Sequence, residues 1–298
     1  MKHFISLREL VITLLLICCN AVWAGDIEVD GIYYNITSAT DFTAEVADCG
    51  DKLSLRDIVI PSTITYKSRT FTVTRIGEKA FFGSNVRSVK LPNSITSIGE
   101  EAFFGCKRLK SIEIPNSVTS IEFAAFYKCM LLESIKLPNS IRNIGDMMFA
   151  ECTYLRSVEL PNSIKSIKYG AFCNCRCLIR FVIPKSVTSI GNEAFKGSNN
   201  LTSIYVMTKT PPWASSSCFE EIVFMEAVLY VPNGCLEAYK NAEVWKNFWD
   251  IREFDPTGID DVKTENENAT TVYDLNGRVV ENPTDGIYII NGKKVLLK

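Results

Sequence analysis

The sequence predicts a β-rich solenoid with one coil per 23 residues, and three columns of recurring residues predict it. Prolines recur at Pro92, Pro115, Pro138, Pro161 and Pro184, and cysteines at Cys106, Cys129, Cys152 and Cys175. Phenylalanines Phe103, Phe126, Phe149, Phe172 and Phe195 keep the same step, while Phe81 precedes Phe103 by 22 residues because the first coil is shorter by one. A period shared by three residue types marks a repeat architecture, in which a unit hides its apolar face only by stacking on its neighbours.

Within one coil the elements follow in order. Leu109 to Met130 reads LKSIEIPNSVTSIEFAAFYKCM, and Leu109, Ile112 and Ile114 fit the L-x-x-L-x-L spacing of leucine-rich repeats. In a short strand Ile112 and Ile114 point inward while Ser111 and Glu113 point outward, because side chains alternate with period two. Pro115 ends the strand. Val118 and Ile121 return to the core on the far side, the Ala125-Phe126 pair caps a helical or turn segment, and Cys129 leads into the next strand. Each coil then buries about six apolar side chains, worth about 2 kcal/mol apiece when covered by neighbouring coils.

The strings LPNSITSIGEEAFFGCKRLKSIEIPNSVTSI and LPNSIRNIGDMMFAECTYLRSVELPNSI resemble the BspA-type leucine-rich repeats of Bacteroidetes and other host-associated microbes. The repeats cover residues 75–207, and the resemblance extends to both flanks. Residues 25–74, with VDGIYYNI and IVIPSTITYKSRTFTVTRIG, are similar to the family's N-terminal β cap and read independently as a hairpin turning near Lys67-Ser68. Residues 208–256 hold TPPW, a strand at Val228–Val231 and GCLEAYKNAEVWKNFWDI, in which Leu236, Tyr239, Trp245 and Trp249 fall near one helical face, as in the family's capping helix. A polar linker, 257–270, precedes a short β tail, 271–298, with turns at Asn276-Gly277, Asp285-Gly286 and Asn291-Gly292. This tail resembles part of a C-terminal sorting domain of type IX secretion, which supports export more than it identifies a route.

Residues 1–24 have the layout of a secretory signal peptide: Lys2 and Arg8, an apolar run from Leu10 to Cys19, and Val22-Trp23-Ala24 as the cleavage site. Cys18 and Cys19 raise a lipidated alternative, against which the bulky Ile17 stands. Cleavage leaves 30 basic and 33 acidic residues, a net charge of −3, so neither nucleic acid nor an anionic membrane is an expected partner. No transmembrane helix is expected in the mature chain, since no later stretch approaches ~20 apolar residues. His3 is the sole histidine of the sequence and lies in the signal, which removes the usual general base and a common metal ligand.

Two groups of candidate residues emerge. Cys106, Cys129, Cys152 and Cys175 should stack ~5 Å apart as a ladder of small buried side chains, without cofactor or metal. That spacing would also permit disulfides, but nine mature cysteines leave at least one unpaired within a monomer. Cys173, Cys175 and Cys177, read as alternate residues on one strand face, lack the C-x2-C pairs of a structural zinc site. On the exposed strand face, Lys90, Glu113, Lys136 and Glu159 alternate in charge before Val182 and Tyr205 turn it apolar. With Ile179 and Arg180 these last two residues are the candidate contact set. The resemblance implies adhesion to a protein partner, either a host matrix or plasma protein or another bacterial surface. A surface spacer without its own ligand is the alternative. An enzyme is not expected, because Glu100-Glu101 and Glu220-Glu221 are adjacent pairs on solvated turns and not convergent groups in a cleft.

Overall fold

The computed structural model describes residues 27–49 and 56–256, together with the backbone of 272–273, 286–290 and 293–297. The signal-like N-terminus, the linker and the turns at Asn276-Gly277 and Asn291-Gly292 lie outside the described residues. The chain divides into two compact units, Met1–Phe254 and Asp255–Lys298.

The first unit is a β-solenoid with three hydrogen-bonded sides. Its front side is a parallel ladder of short strands: Asp57–Val59, Ser88–Lys90, Ser111–Glu113, Ser134–Lys136, Ser157–Glu159, Arg180–Ile183, Ser203–Val206, Val228–Pro232 and Asp250–Phe254. Regular pairing breaks between Glu113 and Ser134 and between Glu159 and Arg180. The repeat strands are short because a proline follows each of them closely, and proline can donate no ladder bond. Ile112 and Ile114 are buried while Ser111 and Glu113 are exposed, as alternation requires.

The back side carries two-residue strands such as Ser97–Ile98, Ser120–Ile121, Asn143–Ile144, Ser166–Ile167 and Ser189–Ile190, in parallel register one coil apart except between Ile121 and Asn143, where pairing breaks. A serine after the turn residue that follows each proline ties this side together. Ser94, Ser140, Ser163 and Ser186 each donate Oγ to a carbonyl one coil back, on Val73, Val118, Ile141 and Ile164. The hydroxyl oxygen of half-buried Ser117, at the same place, is enclosed with no hydrogen-bond partner among the described residues.

The third side holds the phenylalanine column and is made of turns, not helix. Two residues per coil have left-handed backbone, two before and two after the phenylalanine: Glu101 and Gly105 (φ 52° and 68°), Ala124 and Lys128 (50° and 58°), Met147 and Glu151 (55° and 59°). This folding points alternate amides along the solenoid axis, so in the coils of Phe81 to Phe172 three amides donate to the next coil at 2.7–3.1 Å, as Glu101, Phe103 and Gly105 do to Phe123, Ala125 and Tyr127. The buried rings from Phe81 to Phe219 stack face on face with centroids 5.0–5.6 Å apart.

At the N-terminus, Ile27–Val29, Ile32–Ser38 and Thr43–Val46 form antiparallel strands, and Thr63–Tyr66 pairs with Arg69–Ile76 in the expected hairpin. It turns on Lys67 and Ser68, both left-handed (φ 47° and 61°), which matches the right-handed strand twist. The end of Arg69–Ile76 serves as a back rung, pairing in parallel with Thr43–Val46 on one side and Ser97–Ile98 on the other. At the C-terminus the expected single helical face divides. A short helix, Leu236–Lys240, is followed by a 3-10 turn, Trp245–Asn247, and then by the strand Asp250–Phe254. Tyr239 and Trp245 are buried, as the pattern implied, but Trp249 is 86% exposed because the chain has by then left the helix to form a front strand. The second unit is a three-stranded antiparallel sheet of Val272–Tyr273, Gly286–Ile290 and Lys293–Leu297.

Candidate binding surface

The cysteines occupy one corner of the interior, where their thiols serve as hydrogen-bond donors. Cys129, Cys152 and Cys175 each donate Sγ–H at 3.1 Å to the carbonyl of the phenylalanine one coil back, Phe103, Phe126 and Phe149, and Cys106 reaches Phe81 at 3.0 Å. The column continues as serine: Ser198 donates to Phe172 at 2.7 Å, and Ser84 lies 3.4 Å from the Cys106 thiol. All four cysteines are buried and free. Burial pushes the Cys106 thiol up to about 12 and those of Cys129, Cys152 and Cys175 upward as well, so they remain protonated and poor metal ligands. Cys173, Cys175 and Cys177 do not share a strand face. They lie in turns, with Cys175 inside and the other two half-buried. Among the described residues no group of three His, Cys, Asp or Glu side chains is placed to hold a metal.

The carboxylate pairs are engaged at the surface. Glu101 faces Lys79 at 3.5 Å, and Glu220 accepts from the Asn199 side-chain amide at 2.9 Å. Neither meets a second acid in a cleft.

The front face changes character along its length. Lys90 lies in register with Glu113, and Lys136 with Glu159, the latter two closing an exposed ion pair at 2.7 Å. Beside this column, between Lys90 and Pro161, runs an open groove of about 660 Å3 bordered by Asn93, Asn116 and Asn139. In the C-terminal coils the column becomes Val182, Tyr205 and Tyr230 in direct register. Tyr205 is half-buried. Its ring stacks on Tyr230 with centroids 4.4 Å apart, the Arg180 guanidinium lies 4.2 Å from its centre, and Phe254 meets it edge-on. Ile179, in the residue column just before the strands, is 58% exposed, and the exposed Trp249 occupies the same position two strands beyond Tyr205's own. The structure thus gathers Ile179, Arg180, Val182 and Tyr205 on one patch and adds Tyr230 and Trp249. Tyr230 escaped notice in the sequence because its step from Tyr205 is 25 residues, not 23.

Comparison with known proteins agrees with the repeat fold. Residues 74–202 match the BspA type leucine rich repeat region in six copies. A leucine-rich repeat protein of T. pallidum is 30% identical, with a TM-score of 0.56, over 63% of this chain and 85% of that one. A leucine-rich cell surface protein of Faecalibacterium prausnitzii shares the fold at 21% identity and a TM-score of 0.53, over 78% of this chain and 73% of that one. Among curated proteins none is significantly similar in sequence. The 23-residue coil, its phenylalanine spine and these matches agree: the chain belongs to the leucine-rich repeat proteins, with repeats of BspA type.

Proposed function

We propose that this chain is exported to the cell surface and there binds a protein partner, a host matrix or plasma protein or a component of another bacterial surface, in the manner of an adhesin. One observation carries the reading: the front face turns from a charge ladder into an aromatic and aliphatic patch at Ile179, Tyr205, Tyr230 and Trp249. Aromatic and arginine side chains dominate binding energy at protein interfaces, because a large rigid surface loses water at little cost in conformational entropy. The signal-like residues 1–24 and the sorting-like tail support export. Among the described residues no helix is long and apolar enough to cross a membrane.

The test is binding of the purified protein to immobilised matrix and plasma proteins and to bacterial cells. Tyr205→Ala and Trp249→Ala should each weaken binding by about 1–2 kcal/mol, whereas Lys168→Ala, on an exposed turn beyond the back strand, should change it by under ~0.5 kcal/mol. Folded Tyr205→Ala and Trp249→Ala proteins that bind as the parent does would move the contact surface elsewhere. If no surface or matrix protein binds, the spacer reading takes its place.

A further inference from the structure

The front face reads the same in both directions once charge is exchanged. Its outward column, continued by equivalent repeat positions across the two breaks in pairing, runs Val59, Lys90, Glu113, Lys136, Glu159, Val182, with Val59 66% exposed and the four charged residues exposed. Reversed, the column places Val182 against Val59, Glu159 against Lys90, and Lys136 against Glu113. The column of strand-opening residues behaves alike. It runs Asp57, Ser88, Ser111, Ser134, Ser157, Arg180, so reversal sets Arg180 against Asp57 and serine against serine. One column further out, Lys110 falls against Glu133, and Arg87 against Arg156 is the like-charged exception.

From this self-complementarity we infer that the front face between Asp57 and Val182 is an interface with a second copy of this chain. The copies pack face to face about a two-fold axis parallel to the strands, passing between the strands of Glu113 and Lys136. A two-fold interface must present one patch that complements itself, so that residue i meets j and j meets i, and an even alternation of charge flanked by valine and by an Asp/Arg pair meets that condition. Sheets packed face to face lie ~10 Å apart, a gap that an extended lysine and a glutamate bridge together. The groove beside the column gives the long side chains of the second copy room. Six coils span only roughly 29 Å of axis, and the contacts are polar and exposed, so the dimer is weak and salt-sensitive. Tyr205, Tyr230 and Trp249 lie beyond Val182 and stay uncovered, and self-association, measured on the purified chain alone, stands or falls apart from the binding of any foreign protein.

Sedimentation velocity over a concentration series reaching ~0.5 mM tests the interface. The dimer dissociation constant should rise at least ~10-fold when NaCl goes from about 50 to about 500 mM. Glu113→Lys should raise it at least ~10-fold at low salt, since symmetry turns two attractive contacts repulsive at once. Adding Lys136→Glu to that variant should restore it to within ~3-fold, although the double variant places like charges side by side within each chain. The fourfold reversal, K90E, E113K, K136E and E159K, should pair with itself and not with the unaltered protein. Circular dichroism should show every variant folded. A monomer throughout, a dimer indifferent to Glu113→Lys, or one that Lys136→Glu fails to restore overturns the inference, as does a monomer that uses these charges to bind a foreign protein instead.

Discussion

Each ladder cysteine is there as a small donor in a dry corner, and Ser198 at the C-terminal end of the column shows what stands in for it: a hydroxyl that reaches the equivalent carbonyl, that of Phe172. Cys152→Ser should therefore cost less than about 1 kcal/mol in urea unfolding, while Cys152→Val, which adds bulk and removes the donor, should cost about 1–3 kcal/mol. Burial raises the thiol values in the folded protein, so the unfolded chain loses these protons first. The stability they support is whole below the ordinary thiol range and drains away as pH rises from about 9 through the folded values, with Cys106 at about 12. The urea midpoint should fall across that window, and Cys152→Ser should flatten the fall. The column was legible in the sequence as a period of 23, but its hydrogen bonds were not, because the accepting carbonyl belongs to a residue 26 positions back. Tyr205 was legible as an outward aromatic residue, whereas its stacking on Tyr230 depends on a coil that departs from the period.

Among the elements, the strands were easiest to read, since alternation closed by proline leaves little choice of face. The third side was hidden by composition. Its left-handed positions are filled by Lys79, Glu101, Ala124, Met147 and Glu193 as readily as by glycine, so no glycine pattern announces them. Where glycine does occur, its role is testable. Gly83 has φ 66° and open space around its missing side chain, so Gly83→Ala should cost only the left-handed backbone penalty, about 1 kcal/mol. At Gly99 an added Cβ would lie 2.8 Å from the backbone of Gly77 and Glu78, and Gly99→Ala should cost more, roughly 2–3 kcal/mol, because two coils must part. Equal losses in the two variants would contradict this account of how closely coils approach. The C-terminal helix was overread for a related reason: periodicity gathers Trp249 with Leu236, Tyr239 and Trp245, but cannot register that the chain changes element between them.

For the whole molecule, stability is a sum over coils and their contacts, which makes the coil a removable unit. Deleting residues 134–156 joins Glu133 to Ser157 at equivalent places in successive coils, and the product should fold with a smaller urea m-value and lower stability. Deleting residues 134–144 alone should unfold the protein, because inward and outward positions would no longer agree. The whole-coil deletion also leaves Lys90, Glu113 and Glu159 as the charged column, so the shortened protein should sediment as a monomer. The amides that run from coil to coil on the phenylalanine side carry a further consequence. All of them donate toward the C-terminal coils, from Cys49 onward to Phe195. Peptide units aligned head to tail add their dipole moments, as they do in a helix. On this side alone the aligned peptides set a positive pole toward the C-terminal coils, where Glu220 and Glu221 follow Phe219, while other amides of each coil, such as those of Lys110, Thr119 and Glu122, donate one coil back to Arg87, Thr96 and Ile98, so the sides of the solenoid are electrically opposed along its axis.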